Sequence, residues 1–129
     1  MEFVQFRVAR PTDKLDKVIE FYQEGLGLKK IGSFEKHAGY DGVMFGLPDA
    51  KYHLEFTTFE AGSPCPAPTK DNLLVFYIPD IENIRKIVSQ LNNLGYYEVE
   101  PENPYWKDGG ISFEDPDGWG IILMNRIEV

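Results

Sequence analysis

His53 and Glu55 stand two residues apart in YHLEF, and Gln5 and Arg7 stand two apart in FVQFRVAR. Both segments pattern as strands, so each pair shares one face of its strand. An imidazole beside a carboxylate offers donors to a divalent cation or, without a metal, a general acid and base. Glu55 on an apolar surface would need a counter-charge, and Arg7 carries one permanently. Tyr105 and Trp106, in NPYWKDGG, offer a flat stacking surface for an aromatic or cationic ligand, or an anchor for a loop or interface. Cys65, between Pro64 and Pro66, has no base or cation near it in sequence and reads as a spectator thiol. His37, near a turn, reads as solvated. P-loop, Rossmann glycine and nucleophile-elbow patterns are missing.

The elements that must hold these groups belong to one domain spanning 1–129, since 129 residues with 43% hydrophobic content can bury one real core. No run of about 18 apolar residues is present to span a bilayer. MEFVQFRVAR begins as a strand and not as a basic then apolar leader, so a cytoplasmic protein without membrane partners is expected. One cysteine permits no internal disulfide. A net charge of −8 opposes nucleic-acid binding and favours, more weakly, capture of cationic small molecules.

Periodicity divides the chain into two copies of one unit. After the first strand, TDKLDKVIEFYQEGLG has apolar residues at helical spacing, with Thr12 or Asp13 as cap and Gly25 or Gly27 as stop. Strands are expected around LKKIGSF, GVMFGL and KYHLEFTT, the last two joined by a turn in GLPDAK. NLLVFYIP then repeats the first strand, DIENIRKIVSQLNNLG the helix with Asp80 as cap, and YYEVEP, GGISFED and WGIILMNR three more strands. Gly27 to Gly42 spans the same interval as Gly95 to Gly110. Residues 1–58 and 72–129 form the units and the Pro-rich 59–71 the linker.

DKLDKVIEFYQEGLGL after a strand, with a terminal DPDG hairpin, resembles the vicinal oxygen chelate superfamily, which includes glyoxalase I, bleomycin-resistance proteins and extradiol dioxygenases. The resemblance covers nearly the whole chain. It implies an α+β fold of tandem βαβββ units whose curved mixed sheets form a shared cup, and a homodimer.

In metal-dependent members the first and fourth strands of each unit supply the ligands. Carried over, these positions fall at Phe3, Glu55, Leu73 and Ile122, of which Glu55 alone can ligate. A rearranged site from His53, Glu55 and Gln5 is one alternative. In the resembled fold the first and fourth strands are neighbours, which would let the Arg7 guanidinium balance Glu55 in place of a metal. The expectation is a small-molecule binding protein without metal or cofactor. Phe3, Leu73 and Ile122 would be walls, and Gln5, Arg7, His53, Glu55 and Trp106 anchors. The alternatives are a metal-dependent glyoxalase- or dioxygenase-type enzyme, a metal-free acid–base enzyme using His53 and Glu55, and a dimer with no small ligand.

Overall fold

The structure, a computed structural model, describes residues 1–46 and 52–126. The turn expected in GLPDAK falls on 47–51, outside the described residues. Two compact units divide the chain, Met1–Cys65 and Pro66–Val129.

The first unit runs β1 (Phe6–Pro11), α1 (Leu15–Ile19), β2 (Lys29–His37), β3 (Tyr40–Gly46) and β4 (Tyr52–Phe59). The sheet order is β1-β4-β3-β2, with β1 parallel to β4 and the other pairs antiparallel. Paired register starts at Phe6 with Tyr52, so the strand is shorter than FVQFRVAR suggests, and Phe3 and Gln5 precede it.

Pro11 ends β1, and the Thr12 hydroxyl accepts the Lys14 N–H at 2.9 Å. Neither Thr12 nor Asp13 is the cap. Lys14 holds that position without a side-chain capping hydrogen bond, and Asp13 accepts the Ser63 N–H instead, tying the β1–α1 turn to the segment after β4. The helix widens into a π turn at Glu20–Gly25, where the Leu26 N–H donates to the Phe21 carbonyl at 2.9 Å. Gly27, at φ +77°, then stops it.

Phe21 and Tyr22 are both fully buried. The Tyr22 ring lies 4.6 Å from Phe56 and 6.3 Å from Phe45. Val43, Phe45, Leu54 and Phe56 complete the core on this sheet face. By alternation, Arg7, Met44, His53 and Glu55 occupy the other face.

The second unit contains β5 (Leu73–Tyr77), α2 (Ile81–Asn93), a 3₁₀ turn (Pro104–Lys107), β6 (Gly110–Glu114) and β7 (Gly120–Met124). The sheet order is β5-β7-β6, with β5 parallel to β7. Asp80 caps α2 by accepting the Glu82 N–H at 2.9 Å, and Ile84 and Leu91, two turns apart on one helix face, are buried.

YYEVEP does not form the expected strand. It contributes one bridge, Val99 to Ser112, before Pro101 and Pro104, which lack N–H donors, turn the chain into the 3₁₀ segment. The unit is therefore βαββ with a single bridged residue where a fourth strand was expected. Both faces of β7 are covered, since Ile121 and Leu123 on one face and Ile122 and Met124 on the other are all buried.

Candidate functional site

The ladders place equivalent residues of the two copies side by side in meaning if not in chemistry. On β4, Glu55 pairs with Ala9 of β1 and Met44 of β3. On β7, Ile122 pairs with Val75 of β5 and Ser112 of β6. The same register makes His53 equivalent to Gly120, and Arg7 equivalent to Leu73. Arg7, and not Phe3, is thus the β1 residue that matches Leu73.

In the first unit this face carries a polar cluster. Arg7 Nη1 donates to Glu55 Oε1 at 2.9 Å, and Arg7 Nη2 reaches His53 Nδ1 at 3.4 Å. The Arg7 side chain is 35% exposed and that of Glu55 18%, so the pair is partly solvated and not deeply buried. Met44 lies over Gly32, and Phe34 lies over Gly42, adding apolar surface beside the cluster.

In the second unit the equivalent face is lined by hydrocarbon. Leu73, Ile122 and Trp106 border a shallow, solvent-open cleft, with Val99 and Pro101 on its wall. The 3₁₀ turn comes so close to the sheet that a Cβ at Gly110 would collide with the Trp106 carbonyl oxygen. Asp71, Glu100, Glu102 and Glu114 line the cleft together with a single cation, Lys70. Glu100 is held by Lys107 Nζ at 2.9 and 3.0 Å. That hydrogen bond, followed by the attraction of the Glu100 charge, raises the Lys107 pKa.

The eight residues expected at the site are placed unit by unit. Arg7, His53 and Glu55 form one cluster, and Leu73, Trp106 and Ile122 line one cleft. Gln5 and Phe3 lie outside the sheet, and Phe3 is 63% exposed. Tyr105 and Trp106 do not make a flat platform. Their rings meet edge-on at 86°, and Tyr105 stacks under the Arg126 guanidinium instead.

Ser112 was missed as a candidate, although the Gly27–Gly42 and Gly95–Gly110 repeat places it opposite Met44. A lone hydroxyl in GISFE was the available signal.

The donor set suits a divalent cation poorly. Glu55 already accepts from a guanidinium, its counterpart is Ile122, and the counterpart of Arg7 is Leu73. Among the described residues, no three His, Cys, Asp or Glu side chains gather where they could hold a metal ion.

Paired mixed-sheet units of this topology define an α+β, glyoxalase-like fold, and the chain is a member of the vicinal oxygen chelate superfamily. Within it, the chain belongs to the YycE family: residues 6–57 match the YycE-like N-terminal domain and 71–125 the YycE-like C-terminal domain.

The uncharacterized protein YycE of Bacillus subtilis (strain 168) is 60% identical over 121 residues, covering 94% of this chain and 87% of that protein. A crystal structure of a Bacillus subtilis YycE protein of unknown function superposes with a TM-score of 0.92 at 58% identity, covering 98% of this chain and 92% of that one. Glyoxalase I of Leishmania major shares the fold at a TM-score of 0.73 and 20% identity, over 96% of this chain and 87% of the other. TnmS3, an antibiotic binding protein from Streptomyces sp. CB03234, shares it at 0.65 and 21%, over 96% and 95%. No helix among the described residues is long and apolar enough to cross a membrane.

Proposed function

We propose that the chain is a small-molecule binding protein that works without a metal ion and leaves its ligand chemically unchanged. Its main support is the Arg7–Glu55 pair at 2.9 Å. A guanidinium there supplies the positive charge that a metal would bring, and it competes with a cation for the carboxylate. The hydrocarbon of Leu73 and Ile122, beside Trp106, suits an apolar ligand with few polar anchors. TnmS3, of the same fold, is an antibiotic binding protein, whereas the Leishmania major relative is a glyoxalase. The fold alone does not choose between binding and catalysis. We further expect the protein to pair as a homodimer in the cytoplasm, which light scattering on the purified chain and fractionation of cells would check.

The test is elemental analysis of the untagged protein before and after dialysis against Ni²⁺, Zn²⁺, Mn²⁺ and Fe²⁺, followed by a thermal-shift ligand screen on wild type and Trp106→Ala. The expected result is substoichiometric metal throughout, with stabilising compounds whose effect is lost in Trp106→Ala. A stoichiometric, chelator-sensitive metal would sink the proposal. A second reading, metal-free acid–base catalysis, draws on His53 and Glu55 sharing one face of β4 beside Arg7. Turnover of a bound compound that disappears in both His53→Ala and Glu55→Gln would favour it.

A further inference from the structure

Ser112 is 4% exposed, and its hydroxyl oxygen finds no hydrogen-bond partner among the described residues, although it lines the cleft of the second unit. A buried hydroxyl without a partner costs stability in the free protein, and a ligand that hydrogen-bonds to it offsets that cost on binding. Ser112 pairs with Ile122 on the ladder, which puts it on the sheet face that Leu73 and Ile122 present to the cleft.

The rim has the opposite character. Glu102 is exposed and Glu114 half-buried, and with Asp71 they line the cleft, where Lys70 is the one cation among the described lining residues. The cleft therefore grades from a hydroxyl at its floor, through Leu73, Ile122 and Trp106, to carboxylates at its mouth.

Resting on the binding function proposed above, we infer that the cleft takes a small aryl or alkyl amine: a cationic ammonium at the carboxylate rim, an apolar body against Trp106, and a hydrogen-bonding group at Ser112. An anion would meet carboxylates in a chain whose net charge is already −8. A purely apolar molecule would leave the Ser112 hydroxyl unsatisfied.

Three probes of matched size separate these possibilities by calorimetry: tyramine, its neutral isostere 2-(4-hydroxyphenyl)ethanol, and 4-hydroxyphenylacetate. Tyramine is expected to bind about tenfold more tightly than the carboxylate. Its advantage over the neutral isostere should vanish in the Glu102→Gln, Glu114→Gln double variant and shrink with added salt. Ser112→Ala should weaken tyramine about three- to tenfold while leaving the free protein as stable as wild type or more so. The second readout separates a ligand-facing hydroxyl from one that merely supports the fold.

Equal binding of all three probes, or preference for the carboxylate, overturns the amine assignment and leaves the binding function standing. Failure of all three also overturns the assignment. If the thermal-shift screen still yields Trp106-dependent compounds, the broader function survives that failure. Loss of stability in Ser112→Ala with unchanged tyramine affinity removes Ser112 from the site.

Discussion

The Arg7 guanidinium joins Glu55 and His53, reaching Glu55 Oε1 at 2.9 Å and His53 Nδ1 at 3.4 Å. Arg7 and His53 are register partners across the parallel β1–β4 ladder, and Glu55 lies two residues further along β4. Arg7 is more than a third exposed, so water screens the pair. Arg7→Ala should therefore lower unfolding free energy by about 0.2–1 kcal/mol. A loss of about 3–5 kcal/mol, as expected when one partner of a buried pair is removed, would show that water does not reach it. Urea denaturation with a fixed slope distinguishes the two.

Phe3 and Phe56 make a second comparison. Phe56 is 2% exposed and packs on Tyr22, whereas Phe3 is 63% exposed ahead of β1. Phe56→Ala should cost about 3–5 kcal/mol. Phe3→Ala should stay within about 0.5 kcal/mol, because little surface is uncovered. Equal effects in thermal melts would mean that the first residues pack more closely than their exposure indicates.

Asp115 organises the DPDG turn. Its Oδ1 accepts from the N–H groups of Asp117 and Trp119, both at 2.9 Å, while its own N–H donates to the Trp119 carbonyl at 2.9 Å. Asp115→Ala leaves two backbone donors without their partner and should cost about 1–3 kcal/mol. Asp115→Asn retains an acceptor and should recover most of this. Failure of Asn to rescue would mean that the negative charge, more than the hydrogen bonds, stabilises the turn.

Lys107 gives a pH dependence whose sign follows from its raised pKa. The folded state holds the proton more tightly than the unfolded chain does. The resulting stability is complete below the ordinary lysine pKa and is lost as pH rises through the raised one. Lys107→Met should be slightly less stable than wild type at about pH 8, and the gap should close as pH rises through the raised lysine pKa. The exposure of the lysine keeps the effect small. A gap that widens on the alkaline side would contradict the assignment of Glu100 as its partner.

Much of the architecture was legible because it is written in local chemistry. Asp80 caps α2, the Leu-Gly pairs at 26–27 and 94–95 close both helices with positive φ at the glycine, and the DPDG turn bonds to itself. Three features depended on longer-range matters. Strand β1 starts at Phe6, which pairs with Tyr52, a limit that alternation cannot reveal. YYEVEP has good strand residues, yet the prolines that follow allow a single bridge. Asp13 looked like a cap, but Ser63, fifty residues away, takes its oxygen.

The site was legible to the same degree. The pairing of Arg7 with Glu55 could be anticipated from alternation and strand adjacency. Phe3, expected as a wall, precedes the strand and is 63% exposed, a boundary that alternation does not reveal. Ser112 was hidden because a serine in a strand is ordinary until its hydroxyl is found buried without a partner.

The irregular chain between Gly95 and Gly109 joins the ladder through a single bridge, with further contacts to Gly110, Asn125 and Arg126, and it walls the cleft. A wall outside the ladder can lengthen, shorten or change sequence without disturbing strand register. Substitutions along this stretch can therefore reshape the cleft while the β6–β7 ladder keeps its register.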